Sequence, residues 1–436
     1  MKKDAILFEQ ALQIALEKVK PCNSIGNTMT LVRDLRGRIR ILLPESKKNY
    51  QVEMLAIKNL SEDLSKSLGP YGFAPEDIVL YAKDLSFEES ELRDSLLIYR
   101  DENKTIYLLD RQVVGQDWLK GPYARETTYP RATFFGIKGG VGRSTALVIW
   151  AWYLAKQGKK VAVFDLDLES PGLSSTLLPP EAMPDFGIVD WFVEDGVGQG
   201  DQILDDMLFA SPIAAALSGE IMVVPAFGRK TGEYLPKLSR CYAGIPGDKN
   251  QSWGERLERL VNQIEQKKSP DIVLLDSRAG VHDIAAVAVT RMGAFSFLFA
   301  VDSSQTWKAY SFLFGYWKQH PHLNEIRGNL QIVASMIPET EREPYLKRFR
   351  EHAWDLFREN LYDEAPKDET DVFNFDLNDE DAPHSPLPVF WHRALQEFDP
   401  TGDVSTIEEK TAEEALGLFM RRAEKLVFSG YEELLT

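Results

Sequence analysis

The stretch that decides the fold is Ala132-Thr133-Phe134-Phe135-Gly136-Ile137-Lys138-Gly139-Gly140-Val141-Gly142-Arg143-Ser144-Thr145. Residues 132–137 form a mostly apolar run suited to a strand buried on both faces, and residues 144–156 read as a helix. Between them Gly139, Gly140 and Gly142 let the backbone curl so that successive N–H groups converge on an anion. The N-terminus of the following helix adds its partial positive charge to the same point. Strand, glycine-rich turn and helix in that order predict a phosphate cradle.

The same strand type recurs downstream. Apolar runs at 161–164, 221–224, 272–275, 295–301, 330–333 and 387–391 alternate with helix-like stretches. This is the pattern of βα units around a buried, doubly wound and mostly parallel sheet, and it predicts an α/β domain over 132–436. Near the C-terminus, Ala412, Ala415, Leu416, Phe419, Ala423 and Val427 share one helical face, which suits docking onto that sheet.

Upstream, residues 1–112 read as a small α+β domain with no recognisable chemistry. Apolar residues from Leu7 to Val19 recur at helical spacing behind Asp4 as N-cap, and Arg36-Gly37 joins two strands of a hairpin. A helix over 52–68 stops at Gly69-Pro70, and residues 101–104 turn a second hairpin between 96–100 and 105–110. Arg33, Arg36, Arg38 and Arg40 read as a charged sheet face. Residues 113–131, with Gly, Pro and Tyr among them, read as the linker. The acidic segment 363–381 reads as a solvated loop or a partner-facing surface.

Composition narrows the function. The 436 residues carry 67 acids against 50 Lys and Arg, a net charge of -17, so charge lends no support to a broad nucleic-acid footprint. Cys22 and Cys241 are the two cysteines, too few for a thiolate metal site or a disulfide framework. The opening Met1-Lys2-Lys3-Asp4 leads into an amphipathic pattern without a signal-type apolar core, and no apolar run is long enough to span a bilayer. A cytoplasmic protein without membrane attachment is expected.

The loop departs from the common expression G-x-x-x-x-G-K-[ST], with Ile137 at the first glycine and Arg143 at the lysine. The run Lys138–Thr145 instead resembles the deviant Walker A motif of the ParA and MinD family of ATPases, in a KGGVGR variant. The resemblance covers about 131–340 and implies ATP and Mg2+ as cofactors. It makes Gly139, Gly140, Val141, Gly142, Arg143, Ser144 and Thr145 the nucleotide cradle, with Arg143 in place of the loop lysine. It makes Lys138 a catalytic lysine that reaches across a nucleotide-sandwich homodimer. It gives Ser144, Asp165 and Asp276 to the magnesium shell and Asp167 to the attacking water. Asp276-Ser277-Arg278-Ala279-Gly280 is similar to the switch II of the MinD branch, with Arg278 in place of a proline.

The implied function is an ATP-hydrolysing switch that dimerises and controls a protein partner, through the N-terminal domain or the acidic segment, in a partitioning or defence-type role. A nucleotide-locked regulatory module with negligible hydrolysis is the alternative, because arginine differs from lysine in bulk and geometry. A bacterial tyrosine kinase-like role ranks lower, since the tail offers only Tyr431. Adenine over guanine rests on the resemblance.

Overall fold

A computed structural model describes residues 5–22, 25–43, 50–81, 95–112, 115–123, 127–244, 251–318, 322–364, 372–396, 398–400 and 407–435. Two compact units divide the chain, Met1–Leu119 with Gln319–Leu323, and Lys120–Lys318 with Asn324–Thr436.

In the first unit the order is α1 (Phe8–Val19), β1 (Thr28–Arg33), β2 (Ile39–Leu43), α2 (Tyr50–Leu68), β3 (Val79–Tyr81), β4 (Leu96–Arg100) and β5 (Thr105–Asp110). The strands form one sheet in the order β3-β2-β1-β5-β4. Both expected hairpins are present, since β1 pairs β2 and β4 pairs β5 antiparallel. Gly37 sits at φ +81°, the left-handed region that favours glycine, while the Asp34 carboxylate accepts the N–H groups of Arg36 and Arg38. The Arg33 guanidinium pairs with Asp110, and those of Arg38 and Arg40 lie over the Phe73 ring, so these arginines are tied into the unit's own structure. The expected N-cap Asp4 lies outside the described residues; at the described start of α1 the Leu7 N–H donates to Gln10 Oε1.

The second unit runs β6 (Arg131–Gly136), α3 (Arg143–Lys156), β7 (Lys160–Asp165), α4 (Leu173–Leu177), α5 (Ile188–Asp195), β8 (Phe209–Ala210), β9 (Glu220–Val224), α6 (Tyr234–Cys241), α7 (Trp253–Lys268), β10 (Ile272–Asp276), β11 (Phe295–Ala300), α8 (Ser304–Trp317), β12 (Leu330–Ile337), α9 (Arg342–Asn360), β13 (Leu387–Phe390) and α10 (Glu409–Leu435), with shorter helical turns between them. The sheet order is β13-β12-β11-β6-β10-β7-β9-β8. Every pair is parallel except β8 with β9. The β6 strand lies centrally, so the loop that follows it opens at the middle of the sheet's C-terminal edge.

Burial on both faces explains the continuous apolar runs. Val161 and Val163 enter one core with Phe134, Trp150 and Phe297, while Ala162 and Phe164 enter a second core with Trp191, Leu257 and Ile284. The C-terminal helix α10 covers the first face. Its Phe419 ring meets those of Phe134, Trp150 and Phe297 at 5.5–6.4 Å, and the Trp150 indole donates to the Met420 carbonyl at 3.2 Å.

The acidic segment divides into residues tied into the fold and residues outside the described ones. Asp363 pairs with Arg327, and Asp379 accepts the Asp376 N–H, so both are used by the fold. Asp368, Glu369 and Asp371 lie outside the described residues, as do parts of the 113–131 stretch. Among the described residues no helix is long and apolar enough to cross a membrane.

Candidate phosphate-binding site

The loop 137–142 leaves β6 and enters α3 under fixed constraints. Gly140 and Gly142 hold φ +72° and +73°, a backbone that L side chains rarely adopt. A Cβ on Gly139 or Gly140 would meet open space, so the outer surface of the turn is free for a ligand. A Cβ on Gly136 would meet the Lys138 carbonyl at 3.0 Å and the Val141 side chain at 3.1 Å, which explains a glycine at the strand end. Two contacts pin the loop from beneath. The Ile137 N–H donates to the buried Tyr310 hydroxyl at 3.4 Å, and the Ser335 hydroxyl donates to the Val141 carbonyl.

The strand ends bring the acids to this loop. β7 and β10 are neighbours in register, so Asp165 and Asp276 stand opposite each other at their C-terminal ends. Ser144, in the first turn of α3, donates its hydroxyl to Asp276 Oδ2 at 2.7 Å. The Arg143 guanidinium bridges two carboxylates, with Nε 2.9 Å from Asp276 Oδ1 and Nη2 3.2 Å from Asp167 Oδ2. Arg143, Ser144, Asp167 and Asp276 therefore converge on one point. Burial opposes charge on Arg143, but Asp276 and Asp167 outweigh it and hold its pKa above the usual guanidinium value. Burial pushes the Asp276 carboxyl up, and Arg143 and Ser144 counter only part of that.

Asp165 has a different surrounding. Its Oδ2 accepts both the N–H and the hydroxyl of Ser174, at 2.9 and 2.6 Å, and the Asp167 N–H lies 3.3 Å from Oδ1. Complete burial, reinforced by the nearby Asp276 charge, pushes its pKa up to about 7. Asp165 thus organises the loop between β7 and α4.

Lys138 is exposed, and among the described residues no acceptor engages its ammonium group. Val141 is buried as the loop's apolar anchor, and Thr145 is half-buried. Arg278 pairs with Glu169, which also accepts the Tyr242 hydroxyl at 3.0 Å and lies 3.8 Å from His282 Nε2. His282 Nδ1 accepts the Ile284 N–H at 3.3 Å and so caps the short helix that follows.

Sequence reasoning missed Ser174, Glu169, Tyr310 and Ser335. Glu169 follows Asp167 by two residues in the same loop. Tyr310 and Ser335 come from distant elements, and nothing local marks them.

The arrangement offers a ring of backbone donors, a guanidinium, a hydroxyl and carboxylate oxygens at one end of a helix, which suits phosphate groups with a hard cation. Among the described residues no three His, Cys, Asp or Glu side chains come together as a ready metal group. A magnesium ion would instead rely on the Ser144 hydroxyl, Asp276 and the oxygens of a bound phosphate.

Comparison with known proteins bears on this site. Residues 132–306 match the CobQ/CobB/MinD/ParA nucleotide binding domain. Solved structures with which the chain shares similarity include the cell division ATPase MinD of Pyrococcus furiosus, at 18% identity over 49% of this chain and 73% of that one, with a TM-score of 0.33. A ParA family ATPase from Chlorobium tepidum shows 15% identity over 52% and 81%, with a TM-score of 0.38. The MinC:MinD cell division complex of Aquifex aeolicus shows 16% identity over 68% and 96%, with a TM-score of 0.41. No curated protein matches the chain. The segment matched to the CobQ/CobB/MinD/ParA nucleotide binding domain, 132–306, holds the glycine-rich loop and all of its acidic partners.

Proposed function

We propose that the chain is an ATP- and magnesium-dependent switch that dimerises around nucleotide, hydrolyses it slowly and engages a protein partner in the cytoplasm. The observation that carries this reading is the convergence of Arg143, Ser144, Asp167 and Asp276 beneath a glycine turn whose outer face is open. Gly139–Thr145 hold the phosphates through backbone N–H groups, with Arg143 as the loop cation. Magnesium, when bound, neutralises charge on the phosphate oxygens. Ser144 and Asp276 hold it, with Asp165 supporting them from behind. Asp167 accepts a hydrogen bond from the attacking water, and Lys138 supplies charge to the phosphates of the facing subunit. The small unit at residues 1–112, joined through 113–131, or the acidic segment, serves as the surface for a partner.

Arg143 also favours a second reading. A guanidinium that already bridges Asp276 and Asp167 must exchange carboxylates for phosphates before the acids can act, and a nucleotide-locked module with negligible turnover follows if that exchange leaves Asp167 misaligned. Asp167→Ala separates the two. In the switch reading this variant keeps ATP affinity, which rests on the loop backbone, but loses about 100-fold or more in single-turnover hydrolysis and accumulates as a long-lived dimer. Wild-type protein with no hydrolysis above buffer would leave the locked module standing.

A further inference from the structure

A second cavity, of about 560 Å3, opens beside the C-terminal end of β11, between the helices α8 and α9. Asp302, Ser304, Trp307, Lys308, Arg348 and His352 line it, none of them part of the glycine-loop site. At its base the Asp302 side chain is 4% exposed and accepts three side-chain hydrogen bonds, from Trp307 Nε1 at 2.8 Å, from Arg348 Nε at 2.7 Å and from His352 Nδ1 at 2.8 Å. The Tyr345 hydroxyl accepts the Asp302 backbone N–H at 2.8 Å. Burial works against the Asp302 charge, but these donors outweigh it and hold its carboxyl below the usual range.

The consequence lies on the far side of each donor. Arg348 spends Nε on Asp302, and among the described residues no acceptor engages its two Nη groups, although the side chain is 55% exposed. His352 spends Nδ1, which leaves Nε2 without a partner among the described residues on a ring that is 47% exposed. One buried carboxylate therefore fixes the orientation of the Arg348 guanidinium, whose Nη N–H groups lie outside its reach, and of the His352 ring, whose Nε2 carries an N–H only in the imidazolium form. The Lys308 ammonium lies 4.7 Å from the Phe312 ring, and among the described residues it pairs with no acid. Helix α8 begins at Ser304 with Ser303 as its cap, whose hydroxyl satisfies the Thr306 N–H and leaves the N–H groups of Ser304 and Gln305 without intrahelical acceptors. Two permanent cations and a helix N-terminus thus line a cavity with one carboxylate, an excess of positive potential in a chain of net charge -17.

We propose that this cavity is a second ligand site, specific for a phosphomonoester. A carboxylate would be satisfied by the Arg348 fork alone. A tetrahedral dianion has three oxygens to place and matches the separate donor sets of Arg348, Lys308 and the α8 amides. The cavity is larger than an anion requires, so the ester carries an organic group that packs beside Trp307. The same chemistry can arrive as a small phosphate ester or as a phosphorylated side chain of a partner.

The test is calorimetric titration of the full chain with phenyl phosphate in the presence of excess ATP analogue and magnesium, so that the glycine loop does not compete. Wild-type protein is expected to bind, and Arg348→Gln and Lys308→Gln are each expected to weaken binding about tenfold or more, with Arg348→Lys between them and the wild type. Thermal melts establish that the variants are folded, and an unchanged affinity for the ATP analogue shows that the loop site is intact. A phosphoserine peptide beside its unphosphorylated form distinguishes the sources. Uptake of phenyl phosphate alone supports a small ester, and uptake of the phosphopeptide but not its parent supports a phosphorylated partner. Binding of neither probe, or equal affinity in wild type, Arg348→Gln and Lys308→Gln, overturns the proposal.

Discussion

Arg143 carries an unusual load for one side chain. Its guanidinium is 10% exposed and sits between Asp276, which is 1% exposed, and Asp167 at 15%. Removing three charges from water is costly, and the cost is met here by one guanidinium hydrogen bond to each carboxylate and by the Ser144 hydroxyl on the second oxygen of Asp276. A partner lost from such a group leaves an uncompensated buried charge. Arg143→Ala is therefore expected to lower the unfolding free energy of the ligand-free protein by about 3 kcal/mol, measured by urea titration. The double variant Arg143→Ala/Asp276→Asn should recover much of that loss, because the orphaned carboxylate is gone. Additive losses in the double variant would show that Asp276 does not depend on Arg143 for its charge. A lysine at 143 would address both acids from a single nitrogen, in place of the planar guanidinium edge whose Nε and Nη2 each take one carboxylate.

At the scale of elements, the helix α10 closes the sheet face that α3 leaves open. Phe419 is fully buried and touches rings from β6, α3 and β11. Phe419→Ala is expected to cost about 3–5 kcal/mol and to lower the melting temperature, since four surrounding aromatic rings cannot collapse into the space. A variant within 1 kcal/mol of wild type by the same titration would mean that α10 is not integral to the core. The elements on this face were legible because their physics is local. A strand buried on both sides must be apolar throughout, and 132–137, 161–164 and 272–275 lie within one residue of β6, β7 and β10. The two-residue β8 was not legible, because Phe209 and Ala210 are exposed and carry no periodic signal. At the candidate site the glycines, Ser144 and the three aspartates could be picked out because each lies at the C-terminal end of a strand or in the loop and helix start that follow it. The pairing of Arg143 with Asp276 and Asp167, and the support from Ser174, Tyr310 and Ser335, depend on contacts across 9–194 residues of chain and leave no local trace.

For the molecule as a whole, the issue is how two copies with a net charge of -17 each could be brought together. Long-range repulsion between like-charged chains acts over roughly 8–10 Å at physiological salt, so association needs a specific local attraction that nucleotide supplies or completes. Lys138 is suited to that part. It is exposed at the tip of the glycine turn, and among the described residues its ammonium group has no acceptor in its own chain. In the proposed switch that cation reaches the phosphates of the facing copy. A non-hydrolysable ATP analogue with magnesium is thus expected to convert a monomer into a dimer in light scattering, and Lys138→Ala is expected to remain monomeric while binding the analogue with nearly unchanged affinity. Binding and association part in this variant because the cradle is built from backbone N–H groups and Arg143, which the substitution leaves alone. A Lys138→Ala protein that dimerises like wild type would remove the cross-subunit role, and a wild type that stays monomeric at saturating analogue would remove the dimeric switch itself. Raising the salt separates the two electrostatic contributions. Screening weakens the general repulsion between copies and the exposed Lys138 contact together, so a dimer that strengthens with salt is limited by net charge, whereas one that weakens is held by the lysine.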